Sequence, residues 1–174
     1  MPLGLTYAEF VGVVITTILV GGEADRPTPS DQNNGYSVAV TTSSEAQSSG
    51  ASDESTQITA SYIGHSLLLD RYEPMLTSGV SEDGLFYVSG GVSTAFQLAN
   101  FELRPHFGPV FYQSSLSGAF ELEEALQFKT GYDLSYRFTD RLSLTAGFHH
   151  LSNAQITPES ADLDITHLGL KLHF

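Results

Sequence analysis

The most regular alternation of apolar and polar positions in the chain runs from Leu126 to Phe138. Leu126, Phe128, Tyr132, Leu134, Tyr136 and Phe138 fall on one face, and Gln127, Lys129, Gly131, Asp133, Ser135 and Arg137 fall on the other. A repeat of two marks a β-strand, because successive side chains point to opposite sides. The same rhythm returns in Tyr36, Val38 and Val40; in Phe86, Val88, Val92 and Phe96; and in Phe101, Leu103, Phe107 and Phe111, which oppose Glu102, Arg104 and His106. Towards the end it gives Leu142, Leu144, Ala146 and Phe148, then Leu168, Leu170 and Leu172. Two further segments have strand composition without clean alternation: Leu5 to Val20, and Thr56 to Leu69, where the pattern blurs at Gly64 and His65. Eight strands are therefore predicted in one domain over 1–174, near 5–20, 35–42, 56–69, 85–97, 101–112, 126–138, 141–151 and 163–174. Pro105 and Pro109 work against the fifth, since proline cannot donate to a ladder.

The connections sharpen this picture. Leu98-Ala99-Asn100 and Thr139-Asp140 are short turns, whereas Asp70 to Gly84 reads as a polar loop and Ser43 to Ser55 as a Ser-rich flexible connection. Short turns on one rim and long loops on the other are the pattern of a transmembrane barrel, with the link after the second strand as the exception. Phe, Tyr and Leu tolerate lipid, whereas Lys129, Asp133, Arg137, Glu102 and Arg104 do not at mid-bilayer depth, so the polar face must be the inner one. The expectation is an all-β fold, an eight-stranded antiparallel up-and-down transmembrane β-barrel whose narrow interior is filled by paired charges. With no Trp in the chain, Tyr and Phe must form the interfacial girdles. A soluble lipocalin-like barrel would invert the faces. The ending Lys171-Leu172-His173-Phe174 favours the membrane version, because it resembles the terminal assembly signal of bacterial outer-membrane proteins.

Composition removes other classes. A formal charge of -13, with Lys and Arg numbering 7 in all, excludes a phosphate-backbone binder, so no nucleic acid is expected. The absence of Cys excludes disulfides and thiolate metal sites. The apolar run Phe10 to Val20 is too short to span as a helix and lacks a basic leader, so a secretory signal is expected to be absent, replaced by Met1.

Candidate chemistry gathers where two neighbouring strands end. On the seventh strand His150 and Ser152 extend the apolar stripe through Phe148, and on the last strand Asp164 and Thr166 extend the stripe of Leu168. A hydroxyl, an imidazole and a carboxylate are the parts of a serine hydrolase. The plainer reading makes His150 and Ser152 ordinary rim residues and Asp164 a loop acid, with Glu159 and Asp162 as rival partners for the histidine. His149 and His150 cannot share one metal ion, because strand neighbours face opposite ways.

His150-Leu151-Ser152-Asn153-Ala154 resembles the H-x-S-N-A signature of the lipid A 3-O-deacylase (PagL) family of outer-membrane barrels, and the similarity extends from about Phe120 through Tyr136-Arg137-Phe138 to Phe174. The resemblance implies a carboxylic ester hydrolase in the bacterial outer membrane. It makes Ser152 the nucleophile, His150 the base and Asp164 the acid, on the lipid-facing wall, with lipid A of lipopolysaccharide as substrate and a homodimer as an allowed assembly. No cofactor and no metal are expected. Phe148, Phe128 and Tyr132 would form the acyl-contact surface. The oxyanion region would comprise Asn153, Gln155 and Ser160. Three departures from the family pattern stand out: Asp164 where the family has glutamate, Gln155 where it has glycine, and Ser160 where an asparagine commonly donates. Loss of one oxyanion donor costs about 10²–10³ in rate. The alternative is a structural or adhesion barrel of the same fold with weak or no activity.

Overall fold

The computed structural model describes residues 35–47, 52–65, 72–82, 84–114, 126–152 and 163–174. These form β1 (Gly35–Gln47), β2 (Ser52–Ile63), β3 (Glu73–Ser81), β4 (Leu85–Ser93), β5 (Phe96–Leu98), β6 (Phe101–Ser114), β7 (Leu126–Arg137), β8 (Leu142–Ser152) and β9 (Leu163–His173). Each pairs antiparallel with its chain neighbour, except that β4 and β5 both pair with β6. The first strand also pairs with the last, Val38 opposite Leu172 and Ala46 opposite Asp164, which closes the sheet into a barrel. Because β4 and β5 keep a single register on β6, from Leu85↔Ser114 to Leu98↔Phe101, they are two segments of one stave. The barrel has eight staves. Among the described residues no helix is long and apolar enough to cross a membrane; strands do the crossing.

The two prolines explain the interruption. The ladder lapses between Ser89↔Val110 and Val92↔Phe107, and again between Ser93↔His106 and Phe96↔Leu103, which are the places where Pro109 and Pro105 come opposite the fourth stave. Each lacks the N–H that would have donated there. Thr94 N still donates to Pro105 O at 3.2 Å, so the stave holds its course across the gap.

The register corrects several sequence expectations. Asp70 to Gly84 is not a loop but contains β3, whose alternation Glu73, Met75, Thr77 and Ser81 inward against Leu76 and Val80 outward is too short and polar to stand out. The Ser-rich segment is not a flexible connection either: β1 runs to Gln47 and β2 starts at Ser52, with Ser43 opposite Ser55. The strand expected at 5–20 lies outside the described residues, and the stave starting at Gly35 already has neighbours on both sides, β2 and β9. Nor do the connections sort cleanly by rim. Residues 64–72 make a long link on the rim of the 99–100 and 138–141 turns, and 82–84 a short one opposite.

Inside and outside are as the polarity demanded. Leu168, Leu170 and Leu172 are 56%, 51% and 48% exposed on the outer wall, along with Tyr36, Val40, Ile58, Leu76 and Phe111. Ser37, Thr41, Gln57, Thr77, Ser135, Ser143 and Thr145 are buried inside. At the centre Arg104 binds Glu73, Glu102 Oε1 at 3.1 Å and Ser93 Oγ at 3.0 Å. Val110, Leu151 and Ile165, with Tyr87 against them, form an apolar layer that fills the bore towards the rim where β8 ends. The interior is thus a packed plug, with a cavity of about 70 Å³ beside the charged groups.

Candidate active site on the outer wall

The antiparallel pairing of β8 with β9 sets His150 directly opposite Asp164. Their side chains leave the sheet on the same, outer face, and His150 Nδ1 lies 2.6 Å from Asp164 Oδ1. With Nδ1 donating to the carboxylate, the tautomer is fixed and Nε2 becomes the basic nitrogen. The shorter aspartate arm therefore reaches the ring, because the two residues share a rung of the ladder. Glu159 and Asp162, the rival acids, lie outside the described residues.

Ser152 follows His150 by two positions and so points to the same face, opposite Phe128 of β7. The outward stripe of β8 is exposed at Leu144 but buried at Phe148, at His150 (3% exposed) and at Ser152 (2%). Flanking it on β7 are Phe128, Thr130 and Tyr132, paired with Ser152, His150 and Phe148 in turn. Tyr132 and Phe148 meet at 6.3 Å between ring centroids, and Phe107 of β6 stacks on Phe128 at 6.0 Å. Tyr72, Phe107 and Tyr132 all pack against Phe148. The three expected acyl-contact residues are thus brought together, and Phe107 joins them. Its place on the apolar stripe of the fifth predicted strand was legible, but its neighbourhood depended on the register. Thr130, buried opposite His150, is a further neighbour that no sequence pattern singles out. Asn153, Gln155 and Ser160 fall outside the described residues.

The structure therefore places a histidine held by an aspartate, with a serine two positions on, on the outer face of a closed barrel. The sequence matches the family model for lipid A 3-O-deacylase (PagL) over residues 34–172. The chain belongs to the PagL family. That match spans every stave of the barrel, and the family's place in the bacterial outer membrane is this protein's too. No curated protein matches the sequence.

Solved structures agree on the fold. The crystal structure of the outer membrane enzyme PagL superposes with a TM-score of 0.56 at 15% identity, covering 78% of this chain and 99% of that one. The N-terminal β-barrel domain of Pseudomonas aeruginosa OprF gives 0.52 at 15% identity, covering 82% of this chain and 100% of that domain. A de novo designed transmembrane β-barrel gives 0.50 at 10% identity, over 79% and 95%. At these identities the likeness is one of architecture. Membership of the PagL family rests on the sequence match.

Proposed function

We propose that this PagL-family barrel is an esterase that removes the acyl chain at the 3-position of lipid A from within the outer leaflet. Ser152 Oγ attacks the ester carbonyl and passes its proton to His150 Nε2. The same proton then goes to the departing sugar hydroxyl as the carbon–oxygen bond breaks. Water, activated by His150, next cleaves the acyl-enzyme and frees the fatty acid. Asp164 holds the ring and offsets the charge it acquires. Family membership supports the substrate, and the 2.6 Å bond between His150 and Asp164 on the outer wall is the observation that carries the mechanism. The site's location suits a substrate that stays in the membrane: its acyl chains lie along the wall, where Phe107, Phe128 and Tyr132 offer an aromatic surface backed by the buried ring of Phe148.

A second reading is favoured by Gln155 and Ser160, which replace the family's glycine and asparagine and put the oxyanion donors in question. On that reading the barrel is structural and its site vestigial. Purified protein in detergent, given 3-O-acylated lipid A, separates the two. The esterase releases one fatty acid per lipid, and Ser152→Ala does not. A folded wild-type barrel that releases none is the structural one.

A further inference from the structure

His149, the inward neighbour of His150, belongs to a second constellation that the deacylase reading leaves unused. Its Nε2 lies 3.0 Å from Asp133 Oδ1. His167 Nε2 lies 3.4 Å from the same oxygen. The ring of His106 packs edge-on to His149 at 4.7 Å between centroids, and His149 and His167 are 4.6 Å apart. Ligand-competent atoms of His106, Asp133 and His149 all fall within 4.8 Å of one another.

We propose that these four residues, His106, His149, His167 and Asp133, form a structural site for a divalent transition-metal ion of the Zn²⁺ class inside the barrel. Three imidazoles and one carboxylate are a donor set this ion accepts, with bonds of about 2.0–2.1 Å in tetrahedral array. That array has edges of about 3.3 Å, by geometry from those bond lengths. The distances of 3.0 and 3.4 Å around Asp133 Oδ1 already lie near that edge; the ligand atoms of His106, Asp133 and His149 lie within 4.8 Å of one another, so His106 must close in, and His167 joins through its contact with Asp133.

One observation points to a ligand, and a second shows how the backbone accommodates the cluster. His106 is 1% exposed, yet among the described residues neither ring nitrogen has a hydrogen-bond partner. A buried imidazole with both nitrogens idle carries an uncompensated desolvation cost, and coordination would remove part of it. The backbone also makes room. A Cβ on Gly147 would come within 2.5 Å of Asp133 Oδ1 and 2.8 Å of His167 Nε2, and one on Gly131 within 2.8 Å of the His149 ring. These glycines leave the space that the side chains of His149, His167 and Asp133 occupy.

Lys129 and Lys171 line the same cavity as Asp133, His149 and His167 and oppose a dication there. The site is accordingly of intermediate strength, and relieving that repulsion tightens it. A hydrogen-bonded plug without metal has no such property.

The test uses tag-free protein refolded in detergent without metal, its folding checked by heat-modifiable gel mobility. It is titrated with Zn²⁺ against a colorimetric chelator and with Co²⁺ by visible absorption. The wild type takes up about one zinc per chain, and cobalt gives the intense bands of a four-coordinate centre. His106→Phe weakens zinc binding at least about 100-fold, His173→Asn leaves it unchanged, and Lys129→Met tightens it about tenfold. Folded wild type that takes no zinc from the chelator and gives no cobalt bands overturns the proposal, even if no variant folds. Equal binding by folded His106→Phe overturns it as well.

Discussion

Two adjacent histidines of β8 meet two aspartates on opposite sides of the same wall. His150 faces the lipid and binds Asp164 at 2.6 Å; His149 faces the bore and binds Asp133 at 3.0 Å. The pairs differ in what stands beside them. On the outer face the next position after His150 is Ser152, and on the inner face the next after His149 is Leu151, fully buried in the apolar layer. On the proposed reading, the held imidazole outside is the base that activates the neighbouring hydroxyl. Next to a leucine and two further histidines, the inner one can bind a cation but has nothing to activate. The alternation of a strand is enough to assign neighbouring residues to different chemistries.

Mutations on the two faces should therefore separate cleanly. Ser152→Ala and His150→Ala each lower lipid A deacylation by at least about 10³-fold while the heat-modifiable gel shift of the folded barrel persists. Asp164→Asn lowers it by about 10²–10⁴-fold, because the wrong tautomer is then held. A rate within threefold of wild type, measured as fatty acid released, would detach Asp164 from the mechanism. On the inner side, Arg104→Ala leaves the buried Glu73 and the half-buried Glu102 without their cation and costs about 3–5 kcal/mol of stability in urea unfolding. Phe148→Ala removes the ring that Tyr72, Phe107 and Tyr132 cover and raises KM for lipid A by about tenfold, with kcat less affected. Smallest of all is Asp133→Asn, which leaves the deacylation rate of folded protein within about threefold of wild type, since its charge faces the bore. A loss matching that of Asp164→Asn would mean that the two faces are coupled.

The sequence disclosed some of this and hid the rest for identifiable reasons. The strands with large residues on one face, around Phe128, Phe101 and Leu170, were legible because lipid demands a continuous apolar stripe. The stave of Glu73 to Ser81 was not, since Pro74, Gly79 and three serines and threonines dilute its alternation. Ser43 to Ser55 looked like a linker because a hairpin with small polar residues carries no hydrophobic signature. The acid of the outer pair could be named from the motif, but its reach could not: that depended on His150 and Asp164 sharing one rung. Most hidden was the inner cluster, because His106, Asp133, His149 and His167 come from four staves and no spacing along the chain connects them.

The most direct measurement of the central claim is mass spectrometry of lipid A from an outer membrane carrying this protein, beside a membrane carrying Ser152→Ala at equal, folded abundance. Loss of one 3-linked acyl chain is expected with the wild type and intact lipid A with the variant. Intact lipid A in both membranes would contradict the account and leave a barrel whose outer-wall histidine, aspartate and serine are structural.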